Sequence, residues 1–98
     1  MVRVSPYARQ VREEFKAWSK LHPNFMTPKV RRAIAVDDKV IEVSEGTGFE
    51  HEDIYGVSVF KRVGEFKFTK DRTQEADLFH DFNKALFYAE ELKRKLEG

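Results

Sequence analysis

The chain has no cysteine, which excludes disulfides, thiolate-held metals and a thiol nucleophile. No apolar run reaches the roughly 20 residues that a membrane-spanning helix needs. Met1 to Gln10 carries basic residues without the apolar centre of a secretory signal. The expected setting is therefore the cytoplasm, with no membrane partner. Three prolines and five glycines, none clustered into a linker, leave no low-complexity tract. There is no internal repeat and no composition shift that would mark a domain boundary. Residues 1–98 are expected to form a single domain.

Histidine is also scarce. His22, His51 and His80 are the only three. His51 stands between Glu50 and Glu52, and His80 beside Asp81. Neighbours in sequence do not by themselves share a proton path or converge on one ion. The acidic run Glu50-His51-Glu52-Asp53 has no recognised ligand spacing, so no metal site is assigned. Gly46-Thr47-Gly48 lacks the third glycine and the following helix of a dinucleotide loop. The serines stand in no nucleophile-elbow context. The chain is read as non-catalytic and without a cofactor.

What is present is aromatic and charged. Nine Phe, three Tyr and one Trp sit in a chain that is 41% hydrophobic and 36% charged, a composition that supports an aromatic core and argues against disorder. A chain of this length buries roughly two thirds of its unfolded surface. Net charge is only +1, but it is unevenly laid out. Residues 1–32 hold eight basic and two acidic groups, and residues 33–58 hold one and seven. Such asymmetry either steers a charged partner or neutralises itself within the fold.

Periodicity supplies the elements. Ser5-Pro6 is a helix start: serine caps an amide and proline at the first position loses no needed donor. Tyr7, Ala8, Val11, Phe15, Trp18 and Leu21 or His22 then recur at three- and four-residue steps, until His22-Pro23-Asn24 ends the helix. Val30–Val36, which alternates imperfectly, and Val40–Ser44 read as short strands. A two-residue turn at Asp38-Lys39 puts Ile34, Val36, Ile41 and Val43 on one face. Glu45 to Asp53 reads as an acidic loop. Ile54–Arg62 and Glu65–Lys70 read as a second hairpin turning at Val63-Gly64, with Tyr55, Val57, Val59, Phe66 and Phe68 on the dry face. Residues 71–75 read as loop, and 76–81 as either strand or helix start. Ala85, Leu86, Ala89, Leu92 and Leu96 mark a last helix, capped at Asn83 or starting as early as Asp77, with Lys93, Arg94 and Lys95 suited to its C-terminal dipole.

The expected architecture is α+β: a four-stranded antiparallel sheet of two hairpins in the order α-β-β-β-β-α, with N- and C-terminal helices packed on one face. The other face is expected to be open and to carry the binding residues Arg31, Phe60, Arg62 and Lys67. A modest apolar patch there with a polar rim suits a protein partner or a second copy of the chain. The alternative is a nucleic acid held by the same cations, with Phe60 as a stacking platform.

Overall fold

The computed structural model describes residues 5–74 and 76–98, so Met1–Val4 and Glu75 of the expected loop lie outside it. Ser5 caps α1 (Pro6–Leu21) by accepting the Ala8 N–H at 3.1 Å, and Pro6 opens the first turn. The helix ends where the His22 N–H bonds back to the Ser19 carbonyl and Pro23 follows. Then come β1 (Lys29–Val36), β2 (Lys39–Thr47), β3 (Asp53–Gly64), β4 (Lys67–Lys70), a short β5 (Asp77–Phe79) and α2 (Phe82–Glu97). The class and the order α-β-β-β-β-α are as expected, with β5 added. The sheet runs β1-β2-β3-β4 and every pairing is antiparallel. β5 lies beside β4 on the same edge of β3, pairing with Tyr55–Val57 while β4 pairs with Phe60–Gly64. Residues 77–79 are thus strand, and the α2 cap is Asp81 rather than Asn83, its carboxylate accepting the Asn83 N–H.

The first hairpin turns at Asp37-Asp38, one residue earlier than expected, with Asp37 in the left-handed region at φ 53°. Val36 faces Lys39 and Ile34 faces Ile41. The register moves by an even number, so the side-chain faces are unchanged. Ile34, Ile41, Val43, Val57 and Val59 share one face and pack against Ala85, Ala89 and Leu92 of α2.

The second hairpin does not keep its faces. It turns at Glu65-Phe66, where Phe66 adopts φ 54°, and Arg62 faces Phe68 instead of Glu65. A shift of three positions is odd, so it reverses the sides. Phe68 lands beside Phe60, and Phe66 leaves the sheet, 52% exposed. Val40, Phe60 and Phe68, with Ala33 and Ala35, make a second apolar surface on the face opposite α2. α1 covers it through Val11, Phe15 and Trp18. The Phe15 ring lies 5.2 Å from those of Phe60 and Phe68.

The two helices therefore sandwich the sheet, and the expectation that they pack on one face is corrected. The reason is the aromatic load on the second face. Burying a phenylalanine side chain is worth about 1.5–3 kcal/mol over leaving it exposed, so that face does not stay wet when an amphipathic helix is available.

Beyond the end of α1, the connector 22–28 crosses the same face. Thr27 Oγ1 lies 2.7 Å from Ser44 Oγ, and Asn24 hydrogen-bonds to the Glu42 carboxylate. The backbone crosses so closely that a Cβ at Gly46 would lie 1.9 Å from the Met26 carbonyl oxygen. No helix among the described residues is long and apolar enough to cross a membrane.

Candidate protein-interaction site

Among the described residues, β1 is the terminal strand of the sheet. Which of its backbone groups are bonded follows from the neighbouring ladder. The Arg62 N–H donates to the Asp38 carbonyl at 2.8 Å, so the even-numbered residues of β2 bond toward β3. Its odd-numbered residues Lys39, Ile41 and Val43 must then bond toward β1, at Val36, Ile34 and Arg32. The N–H and C=O groups of Ala33 and Ala35 consequently point outward along the free edge. They repeat at about 6.8 Å, the two-residue rise of an antiparallel strand.

This edge is recessed between the helices. Toward the Val36 end, a cleft of about 390 Å³ is bounded by Ala8 and Arg12 of α1 and by Lys93 and Glu97 of α2. Toward the Lys29 end, a cleft of about 530 Å³ runs between β1 and Lys16, Ala17 and Lys20 of α1. Ala33 belongs to both, so the two form one trough along the strand. Alanines at 8, 17, 33 and 35 keep it shallow and leave the backbone reachable. An irregularity in pairing between Val30 and Arg32 bends the strand at its basic end.

Arg31, Phe60, Arg62 and Lys67 are not brought together. Phe60 is 7% exposed and lies under α1, 5.6 Å from the Trp18 ring. Arg62 reaches α1, where its Nε is 2.8 Å from the Glu14 carboxylate. Arg31 stands on the far edge strand, paired with Glu45 at 2.8 Å and with its guanidinium 5.3 Å from the Phe82 ring. Lys67 is exposed at the start of β4. The face on which these four were expected to lie is covered by α1, and the pairing irregularity between Val30 and Arg32 and the odd slip of β4 turn Arg31 and Lys67 away from it, so only Phe60 and Arg62 share a side.

Comparison with family models, with curated proteins and with solved structures finds no match. Among the described residues, no group of three His, Asp or Glu side chains is gathered as metal ligands would be. His51, at φ 64°, sits in a tight turn in which its N–H bonds to the Gly48 carbonyl and the Gly48 N–H to the Glu52 carbonyl. His22 is stacked on Trp18, with ring centroids 4.6 Å apart.

Two carboxylates that residue type alone did not single out have unusual settings. Glu14, on α1, is 3% exposed. It accepts hydrogen bonds from the Arg62 side chain, from the Phe66 N–H at 3.0 Å and from Gln10. These bonds, Arg62's first, hold its carboxyl down at about 2. Glu42, on β2, is likewise 3% exposed beneath the connector. There burial dominates and pushes its pKa up to about 7, although bonds from Asn24 and Ser44 and the charge of Lys70 oppose the rise. The signal for both was positional. Glu14 stands within the apolar helical stripe, and Glu42 shares the strand parity of Val40.

Proposed function

We propose that this chain is a non-catalytic protein-binding module that takes up an extended segment of a partner as an additional strand on β1. The observation that carries this reading is the outward display of the Ala33 and Ala35 backbone groups in a trough between two helices. Strand addition draws its affinity from main-chain hydrogen bonds and its selectivity from the side chains beside the edge. An eight-residue edge strand is long enough to seat such a segment. Natural edges are usually shortened or covered against unwanted pairing, whereas this one keeps small side chains along its middle.

The test is selection of binders from a random peptide library displayed on phage, followed by amide hydrogen exchange on the complex. Selected peptides are expected to slow exchange at Ala33 and Ala35. Their affinity should drop at least tenfold for Ala35→Pro, which lacks the outward N–H and is tolerated on an edge strand. Binders that protect other amides, and bind a folded Ala35→Pro chain unchanged, would overturn the reading.

A further inference from the structure

Resting on that strand-addition reading, we infer that the captured segment is acidic, with its carboxylates concentrated in the half that lies along Lys29–Arg32, and that it is not a second copy of this chain. The trough is lined by six basic and three acidic side chains. They are unevenly spread. Toward the Val36 end, Arg12 and Lys93 face Asp37 and Glu97. Toward the Lys29 end, Lys16, Lys20 and Arg32 stand with Glu13, while Arg31, also on the lining, is paired with Glu45.

Several of these cations are unmatched. Glu13 is shared by Arg12 and Lys16, each at a loose 3.7 Å. Lys20, Arg32, Lys93 and the strand's own Lys29 have no carboxylate within 4.0 Å among the described residues. The Nε of Arg12 is buried without an acceptor among the described residues. A buried donor left unpaired costs free energy. A guanidinium that swings onto an incoming carboxylate regains that bond, with the fork geometry arginine favours.

The same charges decide against self-pairing. An antiparallel pair of β1 strands centred on Ala33 sets the two α1 helices side by side. Their Arg12, Lys16 and Lys20 would then line a single seam. Along the paired strands only Lys29 would find an opposite charge, at Asp37 of the copy. Like charges brought together in this way disfavour the pairing. The trough also contains no aromatic side chain on which a base could stack, so the outward amides favour a peptide over a nucleic acid.

The experiment uses the full chain and three synthetic nine-residue peptides of alternating valine. The positions between the valines hold threonine in one half and glutamate, glutamine or lysine in the other. Binding is read by fluorescence anisotropy and located by hydrogen exchange. The glutamate peptide should bind at least tenfold tighter than the glutamine peptide, with protection at Ala33 and Ala35. That advantage should shrink as salt rises from 50 to 500 mM. The double variant Lys20→Glu, Arg32→Glu should reverse the order and prefer the lysine peptide.

Equal binding of the glutamate and glutamine peptides at the protected edge would remove the charge inference and leave strand addition standing. A glutamate peptide that binds without protecting β1, or no binding by any peptide at millimolar concentration, would remove both. Tighter binding of oligouridylate at the same cations would make the partner a nucleic acid. A dimer by light scattering that Ala35→Pro dissociates would make it a second copy. Either result overturns the inference.

Discussion

The Glu14 carboxylate and the Arg62 guanidinium, 48 positions apart in the chain, meet at 2.8 and 3.2 Å through two nitrogen–oxygen contacts. The same carboxylate also accepts the Phe66 amide at 3.0 Å, so one side chain fastens α1 to both the strand and the turn of the second hairpin. Arg62 is thereby committed to the fold and is not a free surface cation.

Acid should undo this fastening. Glu14 has its pKa lowered from 4.5 to about 2. Its contribution is therefore complete above about pH 4.5 and is lost as pH falls through about 2. Glu14→Gln is expected to lower Tm at pH 7 by on the order of 5 °C and to flatten the fall of Tm between pH 4.5 and 2. Thermal melts across that window give the answer. An unchanged acid limb in the variant would mean that Glu14 is not the titrating anchor.

Glu42 should act with the opposite sign. Its pKa is raised from 4.5 to about 7, so the folded state holds a proton that the unfolded chain has released. Its contribution is most favourable below about pH 4.5 and is lost as pH rises through about 7. Glu42→Gln keeps a neutral side chain that can still accept from Asn24. It should raise stability at pH 8 by up to on the order of 3 kcal/mol and remove the pH dependence between 4.5 and 7. Urea titrations at pH 5 and pH 8 measure both effects.

The register of the second hairpin gives a paired prediction. Phe60→Ala empties a site packed by Phe15 and Trp18 and should cost about 3–5 kcal/mol. Phe66→Ala alters a side chain that is 52% exposed and should stay within about 0.5 kcal/mol. Chemical denaturation followed by Trp18 fluorescence separates the two. A larger loss from Phe66 than from Phe60 would restore the register with the turn at Val63-Gly64.

Gly46→Ala tests the crossing of the connector. The added methyl carbon would lie 1.9 Å from the Met26 carbonyl, so residues 24–28 must move and the Thr27–Ser44 contact is lost. A cost of about 1–3 kcal/mol and faster amide exchange through the connector are expected. Wild-type exchange at Thr27 in the variant would show that the crossing is looser than this geometry requires.

The elements were legible because each has its own periodicity or cap. Ser5-Pro6 marks the start of α1, and the stripe from Val11 to Trp18 marks its buried side. The first hairpin keeps its expected faces although it turns one residue earlier, because a two-residue slip leaves Ile34 and Ile41 on the same side. The second hairpin does not. Val63-Gly64 is the stronger local turn signal, yet the chain turns two residues later, and the pairing irregularity between Arg62 and Gly64 makes the net slip odd, which carries Phe68 from one face to the other. Local turn chemistry favours glycine, whereas the aromatic packing of Phe15, Trp18 and Phe60 favours receiving Phe68, and packing prevails.

The candidate site follows the same division. Lys29, Arg31 and Arg32 were visible as a basic set, and the alanines at 33 and 35 as a lapse in the apolar alternation. That these residues form a free edge depends on strand order, which no local pattern encodes.

Sequence alone determined the α+β class, the order of helices and strands, and the α2-facing set from Ile34 to Val59, because a period of two or of 3.6 is written residue by residue. Tertiary structure alone decided that α1 crosses to the other face, that Phe60 is core, and that β1 stands at the rim. Each of those depends on which distant surfaces meet, and the meeting is settled by the burial of aromatic area that no single segment can achieve alone.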